Sequence, residues 1–482
     1  MTTSLHLAID PSRPRARGLE AALREAIRAG RLVAGAQLPP TRTLADDLGL
    51  ARATVVEVYA QLQAEGYLVS RRGAGTWVAD LPPAAVREGT TEEPARQRVR
   101  FDFDPGLPDL TAFPRAAWVR AVRRGLRQAP ASSLGFGDPL GRADLRDALA
   151  SYLARARGVL SDPSLTGVCA GTNHALALLG RVLVSRGVRR IALEDPGLPL
   201  HRRVLANTGL EIVPLPVDEL GARTDLLDEL DVRAVVLAPA HHFPLGIQLR
   251  PERRAAAIAW ARANSAFIIE DDYDAELRYD RAPIGALQPL DPDRVVYLGT
   301  ASKTLAPGLR LGWMVVPPTL VEPIATLRRL EDMQTAASEQ IAFTELLRHG
   351  DFERHLRRMR IHYRKRRDRF REMLAEHAPN AHVAGIAAGL RVLLELPLSS
   401  RPSTEIAKQA LTRSISLYPI ARCYHSERVP DGAADALVLG YAALPEHDFE
   451  RGIAALGRLL EQELVYSRDR GGVRRGRAGA DR

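Results

Sequence analysis

Apolar residues recur at helical spacing near the amino terminus, at Leu19, Ala22, Leu23, Ala26 and Ile27, and predict a helix over 19–29 closed by Gly30. After Pro39-Pro40 a short helix is expected through 48, with Thr41 as its N-cap and Gly49 ending it. A third helix over 51–65 places Val55, Val58, Tyr59 and Leu62 on one face and stops at Gly66. Two short runs, 67–70 and 76–78, read as strands joined by Arg71-Arg72-Gly73-Ala74-Gly75. Helix, short helix, helix and hairpin in that order is the plan of a winged helix-turn-helix.

From residue 101 the pattern changes. Short apolar runs at 190–193, 211–214, 234–238, 266–269 and 295–298 are separated by long helical stretches, which predicts a buried, mostly parallel sheet in an α/β domain. A basic helix over 352–376 and an α+β portion over 380–464 follow. Residues 81–100 carry Pro, Gly, Glu and scattered Arg without apolar period and read as a flexible linker. The expected organisation is therefore multidomain α/β: 1–80 for DNA binding, 81–100 as linker, 101–465 as the large domain, and 466–482 as a basic, disordered tail.

Composition narrows the function classes. With 46% hydrophobic and 26% charged residues the chain has the make-up of soluble globular protein. Net charge +9 permits binding to nucleic acid or a membrane surface, but arginine is abundant throughout, so charge alone does not choose. Two cysteines, Cys169 and Cys423, give neither metal-ligand nor disulfide-framework spacing, and a reducing cytoplasm is expected. No apolar run has transmembrane length and no signal segment opens the chain, so no membrane partner is expected.

The candidate chemistry centres on Lys303. It is one of only three lysines, with Lys365 and Lys408, in a chain whose Lys+Arg total is 67, so the position needs an amine rather than a charge. A lysine in a partly desolvated pocket can lose its proton and bond a carbonyl carbon, which arginine cannot do. Gly171-Thr172-Asn173 precedes a helix and offers backbone N–H groups and a hydroxyl to a phosphate. Glu270-Asp271-Asp272-Tyr273-Asp274 ends a strand with carboxylates able to hold a protonated ring nitrogen, and Arg310 lies within reach of a phosphate. An amine, an acid and phosphate donors together match the needs of pyridoxal 5'-phosphate. In the first eighty residues, Arg52 and Thr54 open the third helix, where Arg52 is placed to read guanine. Arg42 and Arg71-Arg72 suit phosphates.

Leu38-Pro-Pro-Thr41-Arg42-Thr-Leu-Ala45, Gly49-Leu-Ala-Arg52-Ala-Thr54 through Tyr59, Glu65-Gly66-Tyr67-Leu68 and Gly73-Ala-Gly75-Thr76-Trp-Val78 resemble the GntR class of repressor domains. Gly137-Asp-Pro-Leu-Gly141, Gly171-Thr172-Asn173, Glu194-Asp-Pro-Gly197, Asp271 to Glu276 and Ser302-Lys303 with Arg310 resemble the fold-type I aminotransferases. Joined, the two resemble the MocR family of transcriptional regulators. The resemblance implies that Thr41, Arg42, Arg52, Thr54, Arg71, Arg72 and Gly75 meet double-stranded promoter DNA. It further implies that Lys303 bonds the cofactor, Asp271 pairs the ring nitrogen, Tyr273 bonds the ring oxygen, and Gly171, Thr172, Asn173, Thr300, Ser302 and Arg310 surround the phosphate. A head-to-tail homodimer that acts as a regulator rather than an enzyme, and answers to a small-molecule effector, is implied as well.

Three positions depart from that pattern. Val438 stands where an arginine would grip a substrate carboxylate, Leu198 where an aromatic residue would cover the ring, and Phe136 where a tyrosine would reach the phosphate. These losses suit sensing better than transamination. The expected effector is pyridoxal phosphate itself, in control of vitamin B6 synthesis. The alternatives are an amine without a carboxylate, an amino compound held by another residue such as Arg391, or an active aminotransferase.

Overall fold

A computed structural model of the chain describes residues 10, 12–71, 75–80, 99–278, 284–379, 382–384, 389–397 and 400–471. The chain divides into two compact units, Met1–Ala95 and Arg96–Arg482. In the first, helices Arg15–Arg28, Thr41–Leu48 and Arg52–Ala64 are followed by strands Leu68–Arg71 and Gly75–Val78. Leu19, Leu23, Leu44, Val55, Val58 and Leu62 close one small core beneath the hairpin. Gly49 ends the second helix at φ +61°, a conformation a side chain would strain.

Two details differ from the sequence expectation. Thr41 is the first helical residue and Pro40, extended at φ −52° and ψ 143°, is the N-cap, so no side chain caps this helix. Gln37–Leu38 forms a third strand, antiparallel to Gly75–Val78. Two residues are too few to show an alternating pattern. Tyr59, buried on the third helix, donates its hydroxyl to the Pro39 carbonyl at 3.0 Å and so fixes the approach to the second helix.

The second unit is built on an eight-stranded sheet in the order Thr166–Cys169, Gly312–Val315, Val295–Thr300, Phe267–Asp272, Ala234–Leu237, Arg190–Asp195, Glu211–Asp218, Gly221–Ala222. The five strands expected from sequence run parallel to one another, and Gly221–Ala222 pairs antiparallel with the outermost of them, Glu211–Asp218. Gly312–Val315, which was not expected, runs antiparallel between Val295–Thr300 and Thr166–Cys169. Both faces of the sheet are covered. Val236, Ile269 and Val296 pack with Leu176, Leu179 and Leu183 of helix Thr172–Ser185, while Val235, Ile268 and Val295 pack with Ile258, Trp260 and Ala261 of helix Pro251–Ala263. Successive strand residues thus face opposite layers, and a strand buried on both faces reads as a continuous apolar run.

A four-stranded sheet, in the order His382–Ala384, Arg391–Glu395, Ala436–Gly440, Tyr418–Pro419, forms the α+β portion. Part of the basic face of helix Asp351–His377 is committed to its own unit, while Arg357, Arg358, Lys365 and Arg371 are exposed. Arg366 donates to the Tyr441 and Leu444 carbonyls, Arg360 to that of Glu276, and Arg369 pairs Glu450. The last helix runs Glu446–Gly471, so the first residues of the expected tail continue a helix, and 472–482 lie outside the described residues. The expected linker falls almost wholly there too, at 81–98. Among the described residues no helix is long and apolar enough to cross a membrane.

Candidate functional site

A cavity of about 360 Å³ opens at the carboxyl ends of the parallel strands, where loops of an α/β sheet converge. Gly171, Thr172, Asn173, Asp271, Tyr273, Thr300, Ser302, Lys303 and Arg310 all line it, so residues spread over 140 positions of sequence meet in one place. The Lys303 ammonium donates to the Gly106 carbonyl, and burial lowers its proton affinity, with Arg391 acting in the same direction.

Strand alternation explains the acid. Along Phe267–Asp272, Glu270 accepts the Leu287 and Gln288 backbone N–H groups. Asp272 accepts the Arg157 Nε and Nη2 at 2.7 and 3.2 Å and the Tyr297 hydroxyl at 2.7 Å. Asp271, between them, points to the other face and lines the cavity, where its Oδ1 is buried and has no hydrogen-bond partner among the described residues. Burial, with help from Asp272 and Asp274, pushes the Asp271 carboxyl up to about 7. His201, also lining the cavity, stands 3.8 Å from Asp271 Oδ2 and is held neutral, its pKa lowered to about 4 by burial and by Lys303. A buried carboxyl that ionises reluctantly and lacks a partner fits a cationic ring N–H.

This shift has a stability consequence. Because the folded-state pKa lies above the ordinary 3.8, folding favours the neutral acid. Its contribution is present below that value and is lost as pH rises through about 7. Cofactor-free protein is expected to lose thermal midpoint on going from about pH 5 to about pH 8, and Asp271→Asn to lose several degrees less. Parallel melting curves of the two proteins would check this, and equal pH slopes would contradict it.

The opposite end of the cavity suits an anion. Gly171, at φ +89°, is the N-cap of the helix Thr172–Ser185 and leaves the first N–H groups of that helix open. The Arg310 guanidinium lies beside it, and a Cβ on Gly171 would stand 3.4 Å from Arg310 Nη1. Thr300 donates to the Ser302 hydroxyl at 2.9 Å and accepts the Ser302 backbone N–H, which orders the turn leading into Lys303.

Tyr273 donates its hydroxyl to the His241 carbonyl at 2.8 Å and accepts from Arg391. In the first unit, Arg42 and Arg52 are exposed at the starts of adjacent helices. Thr41 and Thr54 are half-buried in the first turns of those helices, Gly75 begins the second hairpin strand, and Arg71 lies 5.4 Å over the Trp77 ring. Arg72 falls outside the described residues.

Comparison with known proteins gives both units a relative. The family "Bacterial regulatory proteins, gntR family" matches residues 15–78, and "Aminotransferase class I and II" matches 107–435. The probable rhizopine catabolism regulatory protein MocR of Rhizobium meliloti is 34% identical over 93% of this chain and 94% of its own. The chain belongs to the MocR family of transcriptional regulators. The pyridoxine biosynthesis regulator PdxR of Corynebacterium glutamicum is 31% identical over 92% of this chain and 96% of its own. An archaeal alanine:glyoxylate aminotransferase shares the fold of the MocR-type large domain at TM-score 0.68 and 24% identity, covering 85% of this chain and 95% of the solved one.

In this MocR-family chain the departures fall as follows. Leu198 lines the cavity, an aliphatic wall. Val438 is fully buried with Leu393, Ile420, Cys423 and Tyr424 and is not among the lining residues. Phe136 is 85% exposed. Sequence reasoning missed His201, Glu194 and Arg202, which also line the cavity. In the sequence Glu194 stood only as the first residue of the motif Glu194-Asp-Pro-Gly197, without a role of its own, and that motif was the one available signal.

Proposed function

We propose that the chain is a DNA-binding regulator whose large domain holds pyridoxal phosphate, and that what is bound there sets the hold of the winged helix on promoter DNA. The convergence of nine candidate residues on one cavity, in a chain that also carries a gntR-family domain, supports this reading most. Lys303 would bond the cofactor. Asp271 would pair its ring N–H, Tyr273 would orient the ring oxygen, and Gly171, Thr172, Asn173, Thr300, Ser302 and Arg310 would hold its phosphate. Bound there, the cofactor supplies an aldehyde carbon that exchanges reversibly between amines. The rest falls to the chain: Lys303 offers its amine, Asp271 keeps the ring nitrogen protonated, and Leu198 excludes water from one face.

Thr41, Arg42, Arg52, Thr54, Arg71, Arg72 and Gly75 would form the DNA face. Arg52→Ala is expected to cost roughly 1–3 kcal/mol in operator binding, since a guanidinium pairs guanine in two places. Fluorescence anisotropy with a promoter fragment would read it. The wild type should lose affinity steeply with salt, and a variant with unchanged affinity would remove Arg52 from the interface.

The subunits would pair head to tail. Leu134 and Phe136 are 68% and 85% exposed, and Gln334 ties their loop down through bonds to Gly135 and Gly137, so these apolar side chains are held out together. Such a patch suits a partner subunit. Pyridoxal phosphate as effector draws support from the likeness to PdxR and from Val438. Arg391, a buried guanidinium in the cavity wall, favours an amino compound instead. Residual transamination would be slow without a carboxylate grip at Val438.

A further inference from the structure

Two cations in the cavity wall are left over by the cofactor reading, Arg391 and Arg202, and the Arg202 guanidinium is spent on the Arg422, Cys423 and Tyr424 carbonyls. Arg391, at the start of strand Arg391–Glu395, is 3% exposed and lines the cavity. Its Nη2 donates to the His242 carbonyl at 3.2 Å and to the Tyr273 hydroxyl, and its plane is held 4.7 Å from the Phe243 ring centroid. These contacts fix the guanidinium without neutralising it. The nearest carboxylate, Asp274, stands 3.6 Å from Nη1 and is also engaged at 2.9 Å by His241 Nδ1. Nε is buried with no hydrogen-bond partner among the described residues, as are both ring nitrogens of His242 and Nε2 of His241.

A buried N–H of a charged group with no acceptor is costly, and an acceptor supplied by a ligand removes that cost. The wall is closely packed as well as under-satisfied. Gly389, two residues before Arg391, sits at φ +80°, and a Cβ there would come within 2.6 Å of His241 and 2.7 Å of Asp274. Two residues along the same strand, Leu393 pairs with Val438 of the neighbouring strand Ala436–Gly440, whose side chain is spent in apolar packing. Arg391 pairs with Gly440 in the same register and brings its charge to the cavity from the adjacent strand.

We propose that Arg391 anchors an acidic group of the effector. The effector is then an amino compound that presents its amine to the Lys303 side of the cavity and a carboxylate, or another small oxyanion, to Arg391. The inference rests on the reading that the large domain holds pyridoxal phosphate, and it replaces the cofactor alone as the signal with a bifunctional molecule. An amine without an acid leaves Arg391 Nε unpaired and binds less well.

Absorbance titration of full-length, cofactor-loaded protein tests this. The probes are glycine, β-alanine and their longer unbranched homologues, each set against the n-alkylamine of the same chain length. At least one amino acid should bind roughly tenfold or more tightly than its matching amine. That preference should collapse in Arg391→Met and survive in part in Arg391→Lys. Equal binding of acids and amines across the wild-type series would overturn the proposal, whatever the variants do. So would a preference that persists in Arg391→Met, or a variant in which only the cofactor's own spectrum changes, since Arg391 would then serve the cofactor. Failure of the underlying reading shows earlier and differently, as a wild-type protein without a cofactor band before any probe is added.

Discussion

Lys303→Ala is expected to abolish the covalent attachment of pyridoxal phosphate and with it the visible absorbance band of the loaded protein. The amine is placed in the cavity by a turn that Thr300 and Ser302 order, and burial leaves it readier to lose its proton than an exposed lysine. No other side chain can take over. Lys365 and Lys408 are exposed on helices Asp351–His377 and Ser403–Thr412, and neither lines the cavity. Lys303→Arg should fail as completely, because guanidinium keeps the charge and lacks the nucleophile. Borohydride reduction followed by peptide mass mapping would place the attachment. A variant that keeps the band, or a label found elsewhere, would refute the assignment. DNA binding should persist in both variants while its response to ligand disappears.

Arg157→Met is expected to destabilise the large domain by about 3–5 kcal/mol. Arg157 and Asp272 are each almost completely buried, and the guanidinium meets the carboxylate through two nitrogens while Tyr297 donates a third hydrogen bond. Removing the cation leaves a carboxylate in the interior with only a phenol to answer it. The damage also reaches the site, since Asp272 is the next residue after Asp271 and its tether fixes which face of the strand Asp271 occupies. Denaturant titration followed by far-UV circular dichroism would measure the shift. A loss below about 1 kcal/mol would mean that water reaches the pair. Arg157→Lys should recover part of the stability but not the second hydrogen bond.

The sequence carried the periodic elements and the punctuated loops. The strands starting at Arg190, Ala234, Phe267 and Val295 were legible as runs of buried apolar residues, Glu211–Asp218 only by its apolar start, and the winged helix because glycines 30, 49 and 66 each end a helix. Gly312–Val315 was hidden because it is four residues long and runs against its neighbours, an arrangement that composition does not signal. Thr41 was displaced from the cap by Pro40, whose ring fixes the φ that a cap needs. At the cavity, Lys303 stood out by the scarcity of lysine and Asp271 by its place at a strand end. His201 and Arg202 did not, because both sit on a helix, Pro199–Ala206, whose own spacing says nothing about a strand far along the chain. Arg391 stood in the sequence only as an alternative holder of an amino compound; its burial beside Tyr273 and Asp274 is what the sequence could not show.

The scarcity of lysine gives this chain an unusual experimental property. Two of its three side-chain amines are exposed and one is enclosed, so an amine-directed acylating reagent has two open side-chain targets and one guarded one. The two open sites should react at a constant rate and act as internal standards. Against them, the yield at Lys303 becomes a direct count of empty cavities, readable by mass spectrometry in crude extract and without DNA, effector or enzymatic assay.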